Sequence, residues 1–225
     1  QKPLTITIGE AEQMLEASRK YGVATQMGNQ GHSDPGVRQT CEWIWDGAIG
    51  DVTEVHSLTN RPIWPQGMSS FLPGEPVPDY LDWNNWIGTA PMHPYNPGYH
   101  PFKWRGWWDF GCGALGDMGC HILDSPFWAL QLGAPSSVEC LEQIGGTLVS
   151  PPTQARIRYN FPARKAKVYK GMTRKFAPVS LYWYEGCQKT DTGYINVPEQ
   201  WSSLPAEATR HFGLNGTLFI GTKGM

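Results

Sequence analysis

Val52-Thr-Glu-Val-His-Ser-Leu58 is the stretch that decides the fold. Apolar and polar positions alternate along it, the period-2 pattern of a strand with one buried face. Upstream, helix patterns dominate. Thr5 or Thr7 is placed to cap a helix over about Gly9–Tyr21, with Ala11, Met14, Leu15 and Ala17 spaced along it and Gly22 as its stop. Val23–Met27 reads as a short strand. Ser33-Asp34-Pro35 then reads as the cap and first turn of a second helix carrying Val37, Cys41, Ile44 and Trp45 up to Gly47. Helix, strand and helix suit the edge of a parallel α/β sheet. Downstream, Ser137–Gln143, Gln154–Phe161, Val179–Tyr184 and Thr217–Ile220 alternate in their turn, which predicts an antiparallel sheet. The expected architecture is an α/β remnant over 1–48, followed over 49–225 by an α+β unit. That second unit has a predominantly antiparallel, open-faced sheet with flanking helices.

Composition narrows the function. The 225 residues carry 18 Lys+Arg against 20 Asp+Glu, a net charge of −2, with no basic run. Nothing there gathers a phosphate backbone or an anionic lipid surface, so neither nucleic acid nor membrane is an expected partner. The length buries a core without disulfides or metal. Gly (26) and Pro (19) are far above average use, which excludes a helical bundle or coiled coil. Eleven Trp exclude a disordered low-complexity chain. No run approaches the roughly 18 apolar residues of a membrane helix, and QKPLTITIGE at the start lacks the pattern of a signal peptide. Cys41, Cys112, Cys120, Cys140 and Cys187 are odd in number with no C-x-x-C pair, so free thiols are expected. The compartment stays open between cytoplasm and export. Leu218–Met225 reads as a strand and a glycine turn with no returning strand, a poor terminus. Both ends read as cut, and the chain is expected to be part of a longer protein.

Arg61–Phe110 is dense in Pro, Gly, Trp and Tyr, with one short helix expected near Asp82–Ile87. Irregular segments of that length usually serve as lids or binding loops. Gly111-Cys-Gly-Ala-Leu-Gly116 then leads into a helix expected over Asp117–Leu132, closed by Gly133. A glycine-rich turn at this place lets a cofactor or substrate approach the backbone. Asp117 and His121 stand at i and i+4, on one helix face. A carboxylate beside an imidazole makes a proton acceptor that works near neutrality. An ordinary intrahelical pair explains the same spacing. So does a divalent-ion site from Asp117, His121 and Asp124, but no second histidine lies one turn away and no metal is assigned.

At this motif the chain resembles a known family. Gly111-Cys-Gly-Ala-Leu-Gly-Asp117-Met-Gly-Cys-His121 is similar to the G-G-G-x-x-x-D-x-G-x-H signature of the glucose–fructose oxidoreductase, inositol dehydrogenase and MocA family. Lys2-Pro3-Leu4-Thr5 resembles its E-K-P motif, Trp104-Arg105 its W-R element, and Thr25–His32 a segment of a subgroup with a Trp-rich loop. Gln1 stands where the family has Glu, Cys112 replaces the second glycine, and no G-x-G-x-x-G follows a strand near the start. The resemblance implies that 1–48 is the C-terminal edge of a dinucleotide-binding domain and 49–225 a substrate and oligomerisation domain. It implies NAD or NADP as cofactor, with most of that site outside this chain.

The same resemblance implies roles. Lys2 polarises the reacting oxygen beside the nicotinamide, His121 is the general base or acid, and Asp117 orients and tunes His121. Lys2, Asn29, Trp104 and Arg105 contact cofactor. The implied function is oxidation or reduction of a sugar or polyol by hydride transfer. The alternatives are a glycosidase of the same family that uses NAD transiently, or a non-catalytic carbohydrate-binding or assembly piece. Sugar rings stack on aromatics and offer hydroxyls to Arg and His, so His32, Arg61, Tyr99, His100, Trp107 and Trp108 are the substrate candidates. A homo-oligomer through the open sheet is implied. His56 and His211 are expected to be structural or solvated, and His93 to serve the turns of its loop. That loop, Arg61–Phe110, is expected to form a wall of the substrate cleft without a core of its own.

Overall fold

The computed structural model describes residues 2–207, 209 and 213–225; Gln1 and His211 lie outside the described residues. Helix α1, Ile8–Tyr21, begins with a reciprocal cap in which Thr7 accepts from the Glu10 N–H and Glu10 accepts from the Thr7 N–H. Gly22, at φ 61°, ends it in the left-handed conformation that glycine adopts freely. None of its residues is buried. Val23–Met27 forms no strand, because no described strand lies beside it to complete a ladder. Helix α2, Pro35–Asp46, is capped by Asp34 and stopped by Gly47, as its flanking residues predict.

Strand β1, Val52–Leu58, lies inside a five-stranded sheet with β2 (Ser137–Gly145), β3 (Pro152–Phe161), β6 (Val179–Glu185) and β9 (Gly216–Gly221). The order is β2-β3-β6-β1-β9. Three of its pairings are antiparallel; β1 and β6 run parallel, with Val55 opposite Leu181 and Ser57 opposite Trp183. Two hairpins complete the strands, β4 (Arg164–Lys167) with β5 (Thr173–Phe176), and β7 (Gln188–Thr190) with β8 (Gly193–Ile195). Helix α3, Trp83–Ile87, sits in the long loop under an Asp82 cap.

The helix expected over Asp117–Leu132 is two helices, α4 (Gly113–Ile122) and α5 (Asp124–Leu130), joined at Leu123. Pro126 dictates the break. It lacks an N–H and its ring would strike the carbonyl four residues back, so it is tolerated only in the first turn of a new helix. Cys41 and Ile44 of α2 and Ala129 and Leu130 of α5 close over Val55, Phe161, Val179 and Leu181 of the sheet. Period-2 alternation turns Leu58, Tyr182 and Tyr184 to the opposite face, where they meet Cys187, Trp201 and Leu214.

The long loop departs from expectation. It builds its own apolar cluster from Trp83, Ile87, Tyr95, Tyr99 and Trp107, with Phe71, Trp86 and Phe110 packed against it. His93 is pinned within, its Nε2 2.6 Å from an Asp109 carboxylate oxygen and its ring 4.1 Å from Phe71. Among the described residues no helix is long and apolar enough to cross a membrane.

Candidate active site

Three segments converge on Asp117. Lys2, from the N-terminal segment, places Nζ 3.0 Å from Asp117 Oδ1 and also donates to the Asp117 carbonyl. Arg105, from the 3-10 turn Lys103–Gly106, donates Nε to the same Oδ1 at 2.9 Å. All three side chains are largely covered, at 17, 23 and 13% exposure for Lys2, Arg105 and Asp117. Shielding from water strengthens such pairs. The guanidinium also lies 4.4 Å from the Trp104 ring and 4.7 Å from that of Phe102, a cation held on two aromatic faces. Two cations against one carboxylate leave the cluster with a net positive charge.

His121 follows one helical turn later, half-buried. Burial pulls its pKa below the ordinary value, and the Lys2 charge adds to that; Asp117 and Asp124 oppose them. The shift favours the neutral imidazole, the form that accepts a proton. One expected role is corrected. Asp117 makes no hydrogen bond to His121 but is engaged by Lys2 and Arg105, so it acts on His121 through its charge.

Asn29 reaches the same helix, donating Nδ2 to the Cys120 carbonyl at 2.7 Å, while its Oδ1 is buried with no partner. His32 is held by Asp124, whose oxygens lie 3.0 and 2.9 Å from Nδ1, and it stacks 4.3 Å from Trp128. Asp117 and Asp124 are thus turned to different partners, and no three His, Cys, Asp or Glu among the described residues gather as a metal site.

The glycines do not hold the turn open for a ligand. Gly111, Gly113 and Gly116 have the spacing of a dinucleotide turn, but they follow an irregular segment rather than a strand. A Cβ on Gly111 would lie 2.8 Å from Arg105 Cα, and one on Gly113 2.6 Å from Pro151 Cβ. They let protein approach protein, pressing the Arg105 turn against the start of α4. Cys112, with φ −116°, needs no glycine, and its thiol points to the Ile6 carbonyl.

The substrate candidates separate. Tyr99 and Trp107 are 0% exposed in the loop's own cluster and cannot meet a ligand, which corrects their assignment. Burial suits their large apolar rings better than exposure at a cleft wall. Trp108, 42% exposed, is anchored by its Nε1–H to the Thr147 carbonyl. His100 packs edge-on against Trp86, and Arg61 donates to Asn60; both are half-buried. His56 is buried and hydrogen-bonded to the Tyr184 hydroxyl, a structural histidine.

Sequence reasoning missed Glu185, which is 3% exposed at the end of β6 and accepts from Trp183 Nε1 at 3.0 Å. Its only sequence signal is a carboxylate closing an otherwise aromatic strand, Tyr182-Trp-Tyr-Glu185.

Residues 51–143 match the family model described as "Oxidoreductase family, C-terminal alpha/beta domain". That span runs from β1 through α4 and α5 into β2, so it includes Arg105, Asp117 and His121. None of the curated proteins matches the sequence. Among solved structures, a super-repressor mutant of Gal80p from Saccharomyces cerevisiae superposes with a TM-score of 0.51 at 15% identity, over 99% of this chain and 46% of that one. A second Gal80p super-repressor mutant gives a TM-score of 0.44 at 17% identity over 82% and 41%. The first likeness is one of fold. The chain spans under half the length of these relatives.

Proposed function

We propose that the chain, whose residues 51–143 match the C-terminal α/β domain of the glucose–fructose oxidoreductase, inositol dehydrogenase and MocA family, supplies the acid–base half of a nicotinamide-dependent sugar or polyol oxidoreductase. One observation carries the reading: a covered Lys2–Asp117–Arg105 cluster one helical turn from a half-buried histidine whose pKa is lowered. Catalytic acids and bases are tuned by burial and charge in this way.

The cofactor's nicotinamide end fits the residues present. Asn29 Oδ1 is a buried acceptor with no partner, suited to an amide donor, and Lys2, Trp104 and Arg105 stand around the same helix. Bound nicotinamide supplies the hydride acceptor or donor. This chain's own residues do the rest. His121, neutral, takes the proton of the substrate hydroxyl or returns it in reduction. Lys2, held by Asp117, places an ammonium where the reacting oxygen gains negative charge. Arg105 holds Asp117 in place through its Nε–H. The exposed Trp108 ring offers a stacking face for a sugar, and His32, Arg61 and His100 offer hydroxyl partners. A second copy of the chain is the proposed macromolecular partner, docked on the open sheet, where Val138 and Ile144 of β2 stand exposed.

The test uses a longer protein containing this chain, assayed with NAD and NADP against a panel of sugars and polyols. Accumulating reduced cofactor supports the proposal. Bond cleavage of a glycoside without net reduction would assign the glycosidase instead. Neither product, with cofactor bound or not, would remove the catalytic reading.

A further inference from the structure

A cavity of about 610 Å³ opens where α2, α5 and the β4–β5 hairpin meet, and none of Lys2, Arg105, Asp117 or His121 lines it. Trp45 of α2 and Trp128 at α5 are half-buried in its walls, and Tyr169, in the turn of the hairpin, is 54% exposed. Both indoles are pinned. Trp45 Nε1 donates to the Ala129 carbonyl at 2.8 Å, and His32 stacks 4.3 Å from Trp128. Rings already fixed in this way lose little freedom when a flat ligand lies on them. Cys41 lies at the bottom, 1% exposed. Burial, with Asp124 and Glu42 adding to it, pushes that thiol up to about 12, so the floor is uncharged.

The polar lining divides into cations and acceptors. Arg38 of α2 and Lys167 of β4 line the cavity, and among the described residues neither forms an ion pair. Glu42 and Gln131 line it too; Gln131 Nε2 is spent on the Trp128 carbonyl at 2.7 Å, which leaves its oxygen to accept. The hairpin is an independent sign of an anion. Arg164, Lys165, Lys167, Lys170, Arg174 and Lys175 are interrupted in the sequence and read as no basic run, yet the fold gathers them on one hairpin without a carboxylate. Arg164 and Arg174 are spent on the Leu130 and Trp45 carbonyls. The lysines are not, and Lys165 stands directly opposite Lys175, a like-charge pairing that weakens a hairpin. A bound anion lowers the charge that the hairpin carries.

We propose that this cavity binds a planar aromatic anion: a ring carrying N–H donors, with a carboxylate or phosphate attached. The ring packs on Trp45, Trp128 and Tyr169. Its donors are accepted by the Glu42 carboxylate and the Gln131 oxygen. Arg38 and Lys167 hold the acid group through charge-assisted hydrogen bonds. This division explains why a carboxylate stands among the cations. Glu42 repels a bare anion but accepts from a ring N–H, so it selects for a ligand that has both. The site uses no hydride chemistry and stands apart from the proposed activity.

Titration calorimetry of the chain with indoleacetate and guanosine monophosphate tests this, each beside its uncharged counterpart, indole-ethanol or guanosine. At least one acid is expected to bind, with its neutral counterpart roughly tenfold weaker or more. Which acid binds tells a carboxylate ligand from a phosphate one. Arg38→Gln and Lys167→Gln, both at exposed positions, should each weaken that binding by roughly tenfold. Lys20→Gln, exposed on α1 and outside the cavity, should leave it unchanged. In nuclear magnetic resonance spectra the Trp45 and Trp128 indole ring signals should move as the site fills. Neither acid binding at millimolar concentration would overturn the proposal. So would equal binding of the neutral counterparts, or a loss in Lys20→Gln equal to that in Arg38→Gln and Lys167→Gln.

Discussion

Replacing Glu185 by Gln should make the protein more stable in alkali and remove part of its pH dependence. The carboxyl has an ordinary value of 4.5 and is pushed up to about 7 by burial in the fold. Below about pH 4.5 it is protonated in both folded and unfolded chains and has no effect on their balance. As pH rises through neutrality the unfolded chain ionises freely while the folded one holds its proton, so stability falls. Above about 7 the loss levels off. A displacement of about two and a half units corresponds to roughly 3 kcal/mol. Glutamine keeps the size and an oxygen for the Trp183 N–H, yet cannot ionise. The variant should therefore gain roughly 3 kcal/mol over wild type at about pH 8.5, and much less at about pH 5. His56 and His121 act in the opposite sense, since their lowered values make the fold weaker as pH drops below their ordinary 6.5. They are shared by both proteins and cancel in the difference. Urea unfolding followed by tryptophan fluorescence measures it. Equal differences at the two pH values would refute the reasoning.

Trp107→Ala should cost about 3–5 kcal/mol by emptying the centre of the loop cluster, whereas Trp108→Ala should leave stability within about 1 kcal/mol; thermal melts separate the two. In the longer protein, Trp108→Ala should raise KM for a sugar with little change in cofactor affinity, as steady-state kinetics and a cofactor titration would show. Gly113→Ala should destabilise by about 2–4 kcal/mol, because its φ of 64° disfavours a side chain and its Cβ would meet Pro151 at 2.6 Å. A urea midpoint equal to wild type would contradict that geometry.

The elements that local chemistry specifies were legible in the sequence. Asp34-Pro35 and Gly47 bracket α2, and the alternation of Val52–Leu58 announces β1. The Asp117–His121 spacing and the motifs around Lys2 and Trp104-Arg105 are readable in the sequence, and the fold brings Lys2, Arg105 and Asp117 together. What stayed hidden depends on partners distant in sequence. The parallel pairing of β1 with β6 joins strands more than a hundred residues apart, and no local pattern encodes it. The loop cluster closes through Phe71, Trp83, Tyr95 and Trp107, which share no period, so its aromatics looked like cleft lining. The hairpin of Arg164–Lys167 and Thr173–Phe176 carries charges where a strand pattern would show apolar residues, and Arg164 and Arg174 lie over the Phe176 ring instead. Asp117 looked like the partner of His121 because i and i+4 share a face; only the fold brings Lys2 and Arg105 to compete for it.

The central claim is that His121 is the base served by the Lys2–Asp117–Arg105 cluster. It is tested most directly by the turnover of His121→Ala in the longer protein, with cofactor binding measured alongside. Turnover should fall by roughly 10²–10⁴-fold while cofactor affinity and folding are retained. An active His121→Ala enzyme with the wild-type pH profile would contradict the account and place the base elsewhere.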